Sequence, residues 1–222
     1  MDWFPLWNSL RIAAVSSVIV FFTGIAAAYY ALRLPRALRG ALDVLLTLPL
    51  VLPPTVVGYF LLLAFGRTRP LGAWLAQAGV PLVMTWYGGV AAAVVVSFPL
   101  LYRTARGAFA AFDETLAHAG RTLGLSETYI FWRIRLPVCR SGIAAGFVLA
   151  FARALGEYGA TSMLIGYTPG RTATISTTVY QLWRTGADAQ AFRWVLVNLV
   201  LSAAVLIAVS LFERGTHEEV RP

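Results

Sequence analysis

Four stretches of this 222-residue chain contain no Asp, Glu, Lys or Arg: residues 12–32, 44–66, 70–102 and 194–212. Each is near or above the roughly 20 residues a helix needs to cross the hydrocarbon core of a bilayer. A fifth stretch, 141–170, is interrupted only by Arg153 and Glu157. In lipid a backbone must satisfy its own polar groups, so helices are the available solution for runs of this kind. Charged residues make up 13% of the chain, against about a quarter in soluble domains. The expectation is an all-α integral membrane protein, one domain over 1–222. Its spanning helices are expected near 10–32, 43–65, 88–105, 140–165 and 193–212. The first run is too long for a cleaved signal core, and Asp2 sits where a basic start would be expected, so it reads as a retained helix.

The formal charge is +8, and every one of the 18 basic residues is arginine. In a soluble protein this would suggest nucleic acid, but here the arginines sort by position relative to the spans, and no nucleic-acid partner is expected. Arg33, Arg36, Arg39, Arg103, Arg106, Arg121, Arg133, Arg135, Arg140, Arg214 and Arg221 fall on one side. Arg11, Arg67, Arg69, Arg171, Arg184 and Arg193 fall on the other. The positive-inside bias then puts the N-terminus outside, and the 106–139 loop and the C-terminus in the cytoplasm.

Two spans carry features that a plain lipid-facing helix would not. The run Leu48 to Tyr59 holds Pro49, Pro53 and Pro54, which remove donors and obstruct a regular helix; in lipid such a break persists only beside protein or a wet cavity. It is read either as a packing kink or as a segment beside a translocation path. The fourth span holds Arg153 and Glu157 at i and i+4, able to pair with each other or to line a path, since a charge at the bilayer centre is costly. Gly142, Ala145, Gly146, Ala150 and Gly156 let another helix come close to this span. The stretch 70–102 is too long for one crossing and divides into an interfacial segment near 71–78 and a span from about 88. Trp74, Trp86 and Tyr87 are then expected at the outer headgroup level.

The loop 106–139 is too polar for lipid but patterned enough to fold. Asp113 can cap a helix over 114–123 with Leu116, Ala119 and Leu123 at helical spacing, and Gly124 can close it. Ser126 can cap a second short helix through Ile134, ended by Pro137. At right angles the pair would give a knob facing the cytoplasm; the alternative is two helices lying on the membrane surface. Cys139 is the only cysteine, so no disulfide is possible, and it is read as a small packing residue at a helix start.

Catalytic parts are missing. Without any lysine the chain has no G-x-x-x-x-G-K-[ST] phosphate loop, and it has no G-x-S-x-G turn or Cys/His cluster; no metal site is expected. Its histidines, His118 and His217, lie outside the spans. An enzyme is disfavoured, although a membrane-embedded lipid-modifying enzyme stays as the alternative of another class.

The knob resembles the loop of the permease subunits of binding-protein-dependent ABC importers. In that family a small-residue signature is followed by a glycine and, at a fixed distance, by Leu-Pro. Here these are Ala117, His118, Ala119 and Gly120, then Arg121-Thr122-Leu123-Gly124, then Leu136-Pro137. The chain departs from the family at the signature's start, where glutamate is usual. The 48–59 and 152–161 segments are similar to those of molybdate permeases, and sulfate/thiosulfate and tungstate permeases of the same oxyanion group are alternatives. The resemblance implies a type I importer permease fold and a homodimer, with two cytoplasmic ATPase subunits that carry ATP and Mg, and an external oxyanion-binding protein. No cofactor is implied on this chain itself. It further implies a coupling loop over the residues just named. Candidate path residues are Pro53, Pro54, Thr55, Tyr59, Ser97, Arg153, Glu157, Thr161, Ser162 and Asn198.

Overall fold

A computed structural model describes residues 2–218, with side chains through Ile207. The side chains of Arg214 and His217, and Arg221 as a whole, lie outside the described residues. The described chain is helical: α1 (Phe4–Ala31), α2 (Arg36–Val51), α3 (Pro54–Phe65), α4 (Pro70–Gln77), α5 (Trp86–Ala110), α6 (Glu114–Thr122), α7 (Glu127–Ile130), a π-helical turn (Phe131–Arg135), α8 (Leu136–Val138), α9 (Arg140–Leu155), α10 (Gly159–Ile165), α11 (Ile175–Arg184) and α12 (Asp188–Glu218).

Three helices, α1, α5 and α12, are long and apolar enough to cross a bilayer unaided; two bent pairs, α2 with α3 and the α7–α8 segment with α9, raise the number to five. Helix α5 is the centre of the bundle, with 61% of its apolar window buried, and α12 is the periphery, with 11%. Lipid tails are as apolar as leucine, so helices inside a membrane associate through close packing rather than through escape from water. The sequence supplies small residues for this. Gly24 of α1 faces Leu101 of α5, Gly142 of α9 sits where a Cβ would lie 2.8 Å from that of Ala108, and Gly146 leaves no room beside Thr104. Ser9, Ser16 and Ser17 line the same buried face of α1. Asn8 donates to the Ala173 carbonyl (2.9 Å), and Ser9 accepts from the Ile175 N–H (2.9 Å), tying α1 to the start of α11.

Two expected spans are not continuous. The one over 43–65 is α2 and α3, meeting at 115°. Pro53 and Pro54 stop the first helix, and Pro54 begins the second, where a missing N–H costs nothing. The one over 140–165 is α9 and α10, divided at Gly156–Tyr158. The 171–193 stretch, between two expected spans, contains α11, which Thr174 and Thr177 start with a reciprocal capping box.

Candidate coupling knob and broken-helix pair

The knob forms from the capping residues that the sequence offers. Asp113 accepts from the Thr115 N–H (2.9 Å), and that bond holds its carboxyl below the usual carboxylate range. Ser126 accepts from the Tyr129 N–H (3.3 Å). Gly124 takes φ +76°, a left-handed conformation that closes α6 and that side chains disfavour. Pro137 does not end the second helix: the π turn takes up the disturbance, α8 carries on to Val138, and the chain bends by 72° at Cys139 into α9. Cys139 is buried and its thiol lies 3.4 Å from the Ala108 carbonyl.

Arg135 binds Glu114 through both guanidinium nitrogens (2.8 and 2.9 Å) while its charge lies 4.4 Å from the centre of the Phe112 ring. The hydrogen bond from Arg135 lowers the Glu114 pKa. Across the knob, Arg121 pairs with Glu127 (2.5 Å) and approaches His118 (3.3 Å). The inward face of α6 is not the apolar stripe read from sequence. Ala117 and Gly120 point in, and a Cβ on Gly120 would sit 3.2 Å from Ile130. Leu116 and Leu123 point out, Leu123 with 78% of its surface free. His118, Ala119, Arg121, Gly124 and Pro137 are also exposed, and Leu136 is half-buried. Tyr129 and Trp132 add to the outward apolar area.

The second constellation lies at the helix breaks. Two half-helices from different spans, α3 and α10, pack against each other through glycines. A Cβ on Gly58 would lie 2.9 Å from the Ala160 Cα, and one on Gly159 would lie 2.7 Å from the Pro54 Cβ and 3.1 Å from the Thr55 nitrogen. Pro54, Thr55 and the 159–162 turn are therefore brought together. Arg153 and Glu157 pair as expected (2.7 Å), but across the end of α9 rather than along one helix. The other Glu157 oxygen accepts the Ala160 N–H at 2.6 Å, so this carboxylate, 4% exposed, both neutralises Arg153 and caps α10. Thr161 is buried; Ser162 donates to the Gly159 carbonyl (3.0 Å). Pro53, Thr55 and Tyr59 are exposed on one side of the pair. Two candidates stand apart. Ser97 is fully buried in the bundle and donates to Ala93 (2.6 Å), and Asn198 is on the peripheral α12.

Sequence reasoning missed one network. Asp43 of α2 accepts from the Tyr102 hydroxyl and pairs with Arg106 (2.8 Å), both on α5. Helix α2 buries no residue of its own in the described chain, so these bonds supply its polar anchor. A lone carboxylate beside a 23-residue neutral run was the available signal.

The described chain is thus a bundle of interrupted spans with an outward apolar knob. The chain belongs to the binding-protein-dependent transport system inner membrane components, whose family pattern matches residues 20–217. It is 39% identical over 220 residues to the molybdenum transport system permease protein ModB of Escherichia coli K12, covering 96% of each chain. Its fold is that of ABC importer permeases. A chain of the inward-facing MetNI methionine ABC transporter superposes with a TM-score of 0.75 at 14% identity, covering 97% of this chain and 99% of that one. A chain of the bacterial alginate ABC transporter in complex with its pentasaccharide-bound periplasmic protein gives 0.76 at 18%, covering 96% and 78%.

Proposed function

We propose that two copies of this chain form the path by which an ATP-driven importer brings molybdate across the cytoplasmic membrane. The observation that carries the reading is the knob: a capped, ion-paired hairpin that presents Leu116, Leu123 and Tyr129 outward, as an interface anchor does. Its occupant is a cytoplasmic ATPase subunit, which holds ATP and Mg, because this chain has no lysine from which to build a phosphate loop. The N-terminus lies outside and the hairpin inside, in keeping with the arginine excess on the hairpin side. An external binding protein delivers the anion. ATP binding draws two ATPase subunits together, the knobs follow, and the spans rock between inward and outward access. Two copies are needed because the spans of one chain cannot enclose a path and still shield its polar groups from lipid. The α3–α10 pair, with Thr55, Tyr59, Ser162 and the Arg153–Glu157 ion pair, borders the path. Molybdate is favoured over sulfate or tungstate by the 39% identity to a molybdenum permease over nearly the whole chain.

Gly124→Val tests the coupling. A β-branched residue at φ +76° is strained by about 1–2 kcal/mol, enough to disturb the knob without removing a span. Labelled molybdate uptake is measured in cells that also make the ATPase and binding protein, with sulfate as competitor. Uptake is expected to be lost while the amount of permease in the membrane stays the same; unchanged uptake overturns the coupling role. Full competition by equimolar sulfate overturns the choice of anion.

A further inference from the structure

We infer that the groove between the end of α1 and the knob is a binding site for one anionic phospholipid, its acyl chain in the groove and its phosphate at Arg33. The side of the membrane on which that phosphate sits rests on the orientation proposed above. The groove encloses about 400 Å³, within the roughly 300–1,000 Å³ of small-molecule pockets. Its walls are Phe21, Phe22 and Tyr29 on α1, and Phe131 and Trp132 on the π turn.

Three observations select the occupant. First, the α1 wall runs from Phe21 to Tyr30, about 14 Å of helix axis at 1.5 Å per residue, with Arg33 just beyond the helix end. The site is therefore long and narrow, and most of its length lies along a membrane-spanning helix. A helix of that length, about 10 Å across, would need on the order of 1,000 Å³ or more, so a partner helix does not fit and an extended hydrocarbon chain does. Second, the groove opens on the outward face of α1, where Val15, Val18, Ile19, Phe22 and Tyr30 are exposed and no other described helix covers them. Third, the open end is cationic and aromatic. The Arg33 guanidinium lies 4.3 Å from the Tyr29 ring centre and donates to the Tyr29 hydroxyl, which holds it at the mouth. Glu127 also lines the mouth and feels Arg33, but its paired cation is Arg121 (2.5 Å), which leaves the mouth with a net positive charge. An exposed arginine flanked by Tyr30 and Trp132 matches a phosphate at headgroup level. The π turn aims Trp132 at the groove while Phe131 packs on Tyr29 (4.6 Å), and such turns recur at functional sites. A lipid seated here would touch the spanning bundle and the knob at once.

The permease is purified with its ATPase subunit in detergent containing equal phosphatidylglycerol and phosphatidylcholine, and retained lipids are counted by native mass spectrometry. The wild type should keep phosphatidylglycerol over phosphatidylcholine by about fivefold, the weight of one cation near an anionic lipid. Arg33→Gln should bring the two to parity. Ala26→Trp, which fills the groove from an exposed position, should lose the retained lipid. Val15→Trp, on the same face but outside the groove, should keep it. Wild-type retention in Ala26→Trp, or an unchanged preference in Arg33→Gln, overturns the site. Loss of the ATPase subunit during purification, with lipid retention intact, would instead count against the importer reading and leave the site standing.

Discussion

The knob and the broken-helix pair solve the same problem, how to hold short helices together, in opposite dielectric settings. The knob is polar and largely exposed. It is held by several partly exposed charges, two side-chain caps and small inward residues, so no single bond is decisive. The α3–α10 pair sits among apolar spans. It is held by two glycine contacts and one buried carboxylate with two tasks, so each part is decisive. Under the proposed function, redundancy would suit a handle that is pushed repeatedly. Under the same proposal, a junction with few, exacting contacts would suit a place where two rigid arrangements exchange.

Removing Glu157 should have the largest effect. Glu157→Ala leaves Arg153 without its partner in a poorly solvated site and α10 without its cap. Breaking a buried pair from one side costs about 3–5 kcal/mol, and the 30% exposure of the Arg153 side chain places this case at the low end. The melting temperature of the purified complex should fall by many degrees. The double variant Arg153→Met with Glu157→Gln keeps an acceptor for the Ala160 N–H and removes both charges, so stability should largely return. If uptake stays lost in that stable variant, the charges serve transport as well as packing. A wild-type melt for Glu157→Ala would break the contrast between the two regions.

Glycine substitutions come next. Gly58→Ala drives a Cβ to 2.9 Å from the Ala160 backbone, and overpacking of this kind costs about 1–3 kcal/mol. Gly107→Ala on α5 meets nothing within 4 Å and should be neutral or gain up to about 1 kcal/mol from helix propensity. Equal melting temperatures for the two variants would mean that α3 and α10 are not as tightly apposed as the glycines indicate.

These same two regions divide what the sequence could reveal. The knob was legible because its determinants are local: Asp113, Gly124 and Ser126 each act within three residues of their own position. The spans were legible from apolar length alone. The breaks were only half legible. Pro53 and Pro54 announce an interruption, but the 115° angle is set by Gly58 meeting Ala160, a hundred residues away in sequence. Arg153 and Glu157 have the spacing of a pair on one helix, and nothing local says that the chain leaves the helix at Gly156 and turns the carboxylate toward Ala160. The outward turn of Leu116 and Leu123 was hidden for a related reason. A helical apolar stripe marks a buried face, but whether that face is covered by the same chain or by another is a tertiary fact. Helix α11 had a readable start at Thr174 and a glycine stop at Gly186, and the polar stretch around it masked both.

The smallest effect sharpens the comparison from the knob's side. Glu114 has a lowered pKa in the folded chain because Arg135 donates to it. A carboxyl whose folded pKa is depressed adds stability that is fully present above its unfolded pKa and is lost as pH falls through the folded one. The knob should therefore loosen on acidification below the ordinary carboxylate range and be insensitive near neutrality. Glu114 keeps 53% of its side-chain surface, so solvent screening limits its share to under about 1 kcal/mol. Glu114→Gln should then flatten only part of the acid dependence of hydrogen exchange at the α6 amides, because Asp113 and Glu127 are shifted in the same direction by their own partners. Loss of the whole acid dependence in this one variant would mean that the knob hangs on a single bond, as the broken-helix pair does, and the distinction between a redundant handle and an exacting junction would fail.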